Sequence, residues 1–363
     1  MMAGCLVAIC AAELTLRVFA PQSTGPAQFQ FHPALGQIPV PNQIGFRKLP
    51  GIYEYTYSND QDGHRVVPFA PFVKSAPRVL FLGDSFTYGI GVNDDETFVA
   101  LLQRKHQMVR MVNAGNGGKG TDYALKYLRE RGEQLKPKLI ILGFFRNDFC
   151  DNVHGTYFDL MQPSKLIVKD LKGSLGQKKE ILQRLPGYNW AVSNLHTAGF
   201  IKQRAIEFFK KSEQETPSGL LSDGSIPSAG CATDRARELT EVYIREIAAV
   251  ATSLNSQLYA VYIPQREEVL SAQVSADEES FDLIVKKVRI SSLSLREAFH
   301  AQNQSLDELY LKEGHWSAAG HALAAAAIEH RLFSDDGPRR LLGSGMLTDG
   351  LPDDGWLFKD IAH

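Results

Sequence analysis

Five short apolar runs constrain this chain more than anything else in it. They cover residues 79–82, 108–112, 138–144, 258–263 and 290–295, and most end in glycine, proline or small polar residues. Between them lie stretches with apolar residues at helical spacing. Phe98, Leu101 and Leu102 follow the first run; Leu125, Leu128 and Leu135 follow the second. Leu239, Tyr243, Ile247, Val250 and Leu254 precede the fourth. Runs this apolar suit strands buried on both faces. Strands alternating with helices predict an α/β class: a five-stranded parallel sheet with helices on both faces. Right-handed crossovers then gather all the strand carboxyl ends on one edge.

That edge collects unusual loops. The first strand runs into Gly83-Asp84-Ser85-Phe86-Thr87-Tyr88-Gly89, the second into Asn113-Ala114-Gly115-Asn116-Gly117-Gly118, and the third into Phe145-Arg146-Asn147-Asp148. A fourth loop, before an alanine-rich helix predicted over 317–332, reads Glu313-Gly314-His315-Trp316. Open α/β sheets bind and react at this edge. A serine hydroxyl needs a base, and the base needs an orienting partner. His315 can be that base for Ser85, and Glu313 can hold the imidazole by its other nitrogen. The N–H groups of Ser85 and Gly118 and the side-chain amide of Asn147 are candidate oxyanion donors. Taken singly, each has a plain reading as a turn, a cap or a loop residue. Their occurrence at successive strand ends is what points to nucleophilic catalysis.

The rest of the chain bounds the alternatives. With 363 residues and a net charge of -2, it has no basic cluster with interleaved aromatics, which argues against nucleic acid. Cys5, Cys10, Cys150 and Cys231 show no zinc spacing, and neither a metal nor a cofactor is expected. GxxxxGK[ST] is absent, which disfavours a nucleotide binder. Residues 1–20 form an apolar N-terminal segment. It reads either as the remnant of an export signal or membrane anchor, or as a buried helix. The polar segment that follows favours the first. Residues 21–76 read as an N-terminal extension of turns and short strands wrapping the main domain, which spans 77–335. Residues 151–230 interrupt the alternation as a helical insertion. Its cluster of Tyr188, Trp190, Val192, Leu195, Phe200 and Ile201 is either ordinary packing or the lining of an apolar substrate pocket. Residues 213–230 read as a flexible connection, and 336–363 as a peripheral tail.

The four loop blocks resemble those of the SGNH (GDSL) hydrolases, and the segment from Asn59 to Arg65 resembles the region before the first block in bacterial envelope members. The resemblance covers about 77–332. It implies a flavodoxin-like three-layer α/β/α sandwich, with Ser85 as nucleophile, Ser85, Gly118 and Asn147 as the oxyanion hole, and His315 as base. One departure stands out. The family usually has Asp two or three residues before His, and here Glu313 stands two before. Asp307 is the less favoured substitute. The resemblance implies a serine esterase acting on ester-linked acyl groups of small molecules, lipids or acylated glycans. Transfer of the acyl group to envelope glycans is an extension of the same chemistry. A glycan-binding module that kept the fold without activity is the alternative. An extracytoplasmic, periplasmic setting with an N-terminal tether is expected, in which Cys150 and Cys231 could pair.

Overall fold

Val79, Phe81, Leu139, Ile141, Val261 and Ile263 bury toward one side of a single sheet. Leu80, Leu82, Ile140, Leu142, Ala260 and Tyr262 bury toward the other. This alternation along continuously apolar strands is what makes three layers. It is seen in a computed structural model that describes residues 2–71, 73, 75–154, 156–161, 165–171, 175–213 and 231–333. The flexible connection expected over 213–230, beyond its first residue, and the tail over 336–363 lie outside those residues.

The chain begins with helix α1 (Met2–Phe19), then the antiparallel pairs β1 (Phe29–His32) with β2 (Gly36–Pro39), and β3 (Ile44–Leu49) with β4 (Tyr53–Ser58). The core follows as β5 (Arg78–Leu82), α2 (Ser85–Tyr88), α3 (Phe98–Lys105), β6 (Arg110–Asn113), α4 (Thr121–Leu135), β7 (Leu139–Phe145) and α5 (Asn147–His154). The insertion holds the hairpin β8 (Phe158–Met161) and β9 (Lys165–Val168), then α6 (Leu175–Gln183), α7 (Tyr188–Asn194) and α8 (His196–Glu213). It is therefore not wholly helical. The core resumes with α9 (Asp234–Ser253), β10 (Gln257–Ile263), α10 (Arg266–Leu270), α11 (Ala276–Val288) and β11 (Ser291–Ser294). It ends with α12 (Arg296–His300), α13 (Leu306–Leu309) and α14 (Ala318–Leu332).

The sheet order is β11-β10-β7-β5-β6, and every neighbouring pair is parallel. Residues of α4, α9 and α11 bury against one face, and residues of α3, α12 and α14 against the other. The expected three-layer α/β/α sandwich with a five-stranded parallel sheet is the fold observed. Strands β5, β6 and β7 are adjacent, so the loops that follow them lie side by side at the same edge.

Two features hold the extension and insertion to this core. Arg65 is buried in the extension and bonds the loop after α2 through Gly89 O (2.9 Å) and Val92 O (2.7 Å). Its Nε donates to Asp94 Oδ1 at 2.5 Å. A disulfide joins Cys150 of α5 to Cys231, just before α9, and closes the insertion at its base. The pairing raised as an option for an exported chain is present.

Helix α1 lies against α8. Glu13 accepts the N–H groups of His196 (3.0 Å) and Thr197 (2.8 Å) at the start of α8, a helix cap supplied from another element. Those bonds carry the Glu13 carboxyl down to about 2, against the opposing effect of burial. Val7, Ile9, Leu14, Val18 and Phe19 of α1 are exposed, so the alternative of a buried domain helix does not hold. No helix among the described residues is long and apolar enough to cross a membrane.

Candidate active site

Strand β5 ends at Leu82, and Asp84 starts a new helix at once. Its Oδ1 accepts the N–H of Phe86 at 2.9 Å, the usual service of an aspartate N-cap. Helix α2 is only four residues long. Gly89, in the left-handed conformation, closes it by donating its N–H to Ser85 O. Ser85 therefore opens a helix at the carboxyl end of an inner strand, partly exposed, while Phe86, Thr87 and Tyr88 are buried behind it. Phe86 lies against Phe145, Trp316 and the His315 ring, with centroids 4.7, 5.0 and 5.1 Å away. The chain thus packs the serine turn, the end of β7 and the histidine loop around one ring.

His315 Nε2 lies 2.8 Å from Ser85 Oγ, and its Nδ1 lies 3.1 Å from Glu313 Oε1. The loop that achieves this is tight. Leu311 N–H donates to His315 O at 2.7 Å, and Gly314 N–H donates to Leu311 O at 2.9 Å. Gly314 has φ +101°, a conformation that favours glycine, and it turns the chain so that side chains two apart meet. The acid in contact with His315 is Glu313; Asp307 pairs with Arg266 instead.

Gly118 follows β6 and has φ +68°, with open space where a side chain would begin. Asn147 follows β7 as the first residue of α5. Its Nδ2 donates to Asp151 at 3.2 Å, and its Oδ1 is buried with no partner among the described residues. An amide nitrogen carries two hydrogens, so the bond to Asp151 leaves one to aim elsewhere. Ser85, Gly118 and Asn147 thus sit on three adjacent strand ends, with His315 and Glu313 completing a hydrogen-bonded series with Ser85.

The floor of the site is acidic and buried, with Asp84 and Asp148 both shielded from solvent. Burial pushes the Asp84 carboxyl up to about 6, opposed by the Phe86 N–H and by His315. Burial also pushes Asp148 well up, with the Asp84 charge adding to it. Thr121 donates to Asp148 Oδ2 at 3.0 Å. Below the histidine loop, burial lowers His321 to about 3, helped by the Arg65 and His315 charges, and its Nδ1 accepts the Phe98 N–H at 3.3 Å.

Several supporting residues lie in or beside segments the sequence singles out, but their partners are not legible there. Arg146 pairs with buried Asp277 at 2.8 Å, and Asp277 accepts the Cys231 N–H at 3.0 Å, so the base of α5 is fastened from two sides. Asn59 Oδ1 accepts the Tyr88 hydroxyl at 2.9 Å, and Asn116 Nδ2 donates to Gln37 O at 2.7 Å. The extension thereby braces two of the reactive loops. The alternating Tyr53, Tyr55 and Tyr57 of β4 were the available hint, since two of them bury against Arg65 and Tyr88.

Acyl transfer requires a nucleophile within reach of a base and a base held by an acid. The distances on Ser85, His315 and Glu313 meet both conditions. No curated protein matches the chain. Among solved structures, it resembles an α/β hydrolase from the metagenome of Lake Arreo, Spain (13% identity, 73% of this chain and 97% of that one, TM-score 0.41). A psychrotrophic esterase from Pseudoalteromonas sp. gives 12% identity, 73% and 98% coverage, and a TM-score of 0.39. A catalytic mutant of an acetylxylan esterase from Geobacillus stearothermophilus gives 14% identity, 71% and 94% coverage, and the same TM-score of 0.39. The family model described as GDSL-like lipase/acylhydrolase matches residues 79–328, from the first strand of the sheet to the last helix, with all four reactive loops inside it. By that match the chain belongs to the GDSL-like lipase/acylhydrolase family and is an ester-bond hydrolase.

Proposed function

We propose that the protein is a serine esterase working through an acyl-enzyme, with Ser85, His315 and Glu313 as its triad. The observation that carries this is the continuous series from Glu313 through both nitrogens of His315 to Ser85 Oγ. In the first step Ser85 Oγ bonds to the ester carbon while His315 Nε2 takes its proton. Glu313 stabilises the imidazolium that results. The oxygen that gains charge is held by the N–H groups of Ser85 and Gly118 and by Asn147 Nδ2. The C–O bond then breaks, and His315 returns the proton to the departing alcohol. Water, or a sugar hydroxyl in the transfer version, attacks the acyl carbon with His315 again as base; the bond from that carbon to Ser85 Oγ then breaks, and His315 returns the proton to Oγ. The two outcomes differ only in the final acceptor.

An extracytoplasmic setting belongs to the same reading. The Cys150–Cys231 bond supports it, because such bonds persist in oxidising compartments. The exposed apolar side chains of α1 support a membrane tether at the N-terminus. A reporter fusion that is active only in the cytoplasm would overturn the setting.

A fluorophosphonate probe tests the chemistry. A single adduct on the peptide containing Ser85, missing in Ser85→Ala, is expected by mass spectrometry. Labelling elsewhere, or equal ester turnover by the variant, would sink the assignment. Adding an oligosaccharide acceptor separates hydrolysis from transfer, since only transfer yields an acylated sugar.

A further inference from the structure

Asn147 opens α5 directly after β7, and the first N–H groups of a helix have no partners within it. What steadies this turn must come from other elements, and two fastenings flank the residue. Before it, Arg146 Nε donates to Asp277 Oδ2 at 2.8 Å and Arg146 Nη1 to Gln265 Oε1 at 2.7 Å. After it, at the end of the same turn, Cys150 is joined to Cys231 by the disulfide.

Both fastenings reach one anchor. Asp277 Oδ1 accepts the N–H groups of Cys231 at 3.0 Å and of Ala232 at 2.9 Å, while its Oδ2 holds Arg146. The path from Arg146 through Asp277 to Cys231, across the disulfide to Cys150 and back along α5 is a closed ring, and Asn147 is part of it. The ring is buried: the side chains of Arg146 and Asp277 are 11% and 2% exposed, and both cysteines are buried. A guanidinium bonded through Nε to one partner and through Nη1 to another has its plane fixed. The Asn147 amide follows the same turn, since its Nδ2 donates to Asp151 at 3.2 Å.

We propose that Asp277 is a positioning residue for the oxyanion step: through Arg146 and Cys231 it holds the first turn of α5, so that Asn147 Nδ2 is aimed where the ester oxygen gains charge. The proposal rests on the esterase reading above and adds to it a residue that acts on the reaction only through others. A buried ion pair is a weak source of stability, because an apolar pair of similar volume often serves as well or better. Its fixed geometry is what an apolar pair lacks. An oxyanion donor depends on such geometry, and a misplacement of about 1 Å can cost on the order of 10²-fold in rate.

A mutant cycle on a chromogenic acetate ester tests this. Arg146→Gln/Asp277→Asn removes both members of the pair and so leaves no unpaired buried charge. In the otherwise wild-type protein it is expected to lower kcat about tenfold or more with KM little changed. In an Asn147→Ala background the same replacement is expected to cost less than about twofold, because the donor it aims is gone. Equal losses in the two backgrounds, a rise in KM alone, or an unchanged kcat would overturn the proposal. If circular dichroism shows the neutral pair unfolded, Arg146→Lys takes its place, since it keeps the charge and loses the fork. It is expected to show the same pattern at smaller size, and the same contrary results overturn the proposal. The amide itself is read by nuclear magnetic resonance in Ser85→Ala with isotope-labelled asparagine, where the added Asn147→Ala change identifies its resonance. That resonance is expected to move when Arg146→Gln/Asp277→Asn is introduced, and an unmoved resonance would overturn the positioning role. This readout needs no turnover. It therefore decides the role of Asp277 even if Ser85→Ala leaves ester cleavage intact, the result that would sink the esterase reading.

Discussion

Glu313 Oε1 meets His315 Nδ1 at 3.1 Å across a single intervening residue, and that residue is a glycine with φ +101°. The longer acid and the left-handed turn act together: the turn brings the two side chains to one face, and the extra methylene closes the gap. Glu313→Gln is expected to lower turnover by about 10²–10⁴-fold, as loss of the acid does in other triads. In Glu313→Asp the shorter acid falls short of Nδ1 at this spacing, and an intermediate rate is expected. Rate profiles from mildly acidic to mildly alkaline pH check this. Equal rates for all three proteins would remove Glu313 from the mechanism.

Ser85→Ala removes the atom that bonds to His315 Nε2 without touching the cap on Asp84 or the packing of Phe86. Ester turnover is expected to fall by several orders of magnitude while the melting temperature holds. Circular dichroism melts and a chromogenic acetate ester measure both. A variant that keeps its rate would exclude Ser85 as nucleophile.

Asn147→Ala is expected to lower kcat by about 10²–10³ with little change in KM, the pattern of a donor that acts only on the developing oxyanion. Steady-state kinetics on a small ester decide it. A wild-type kcat would leave Asn147 as a helix residue bonded to Asp151.

The Cys150–Cys231 bridge spans 81 positions and joins α5, the helix that begins at Asn147, to the start of α9. Paired replacement by serine is expected to cost roughly 2–4 kcal/mol of stability and to lower kcat through the loosened first turn of α5. Thermal melts with and without reductant measure the stability term. The exposed free thiol of Cys10 provides the control, since Cys10→Ser is expected to change neither quantity.

His321 is held near 3 in the folded protein and lies near 6.5 when unfolded, so between those values the unfolded chain binds the extra proton. Its contribution to stability is therefore present above about pH 6.5 and is lost as pH falls toward 3. The carboxyl of Asp84 runs the other way, because its raised value favours the folded protein at low pH and the advantage fades as pH rises through about 6. The difference between wild type and His321→Gln isolates the first effect. The melting temperature of the wild type is expected to fall more steeply than that of the variant between pH 6.5 and 4. Parallel curves would refute the assignment.

Three of the four loops are legible in the sequence because each follows a short apolar run that ends in glycine or small polar residues, the pattern of a buried strand. Ser85, Gly118 and Asn147 inherit their places from that pattern, and His315 from the glycine turn before α14. Other parts depend on distant partners. Arg65 looks like one charged residue in a polar stretch until three tyrosine rings and the carbonyls after α2 are brought around it. The hairpin of β8 and β9 lies in a segment whose composition suggests helix, and its alternation covers only four residues per strand. The bond between Cys150 and Cys231 has no spacing rule at 81 positions. Glu13 shows its use only when α8 presents the N–H groups it caps.

The 230 positions between Ser85 and His315 also set the order of events during synthesis. A ribosome adding about 5–20 residues per second makes Ser85 roughly 10–50 s before His315. Until the loop before α14 closes over the sheet, Ser85 lacks its His315 partner and Phe86 lacks two of the three rings packed against it. With the proposed triad, first turnover then marks the closing of the histidine loop and α14 over a sheet already complete, and the appearance of ester cleavage can serve as a clock for folding.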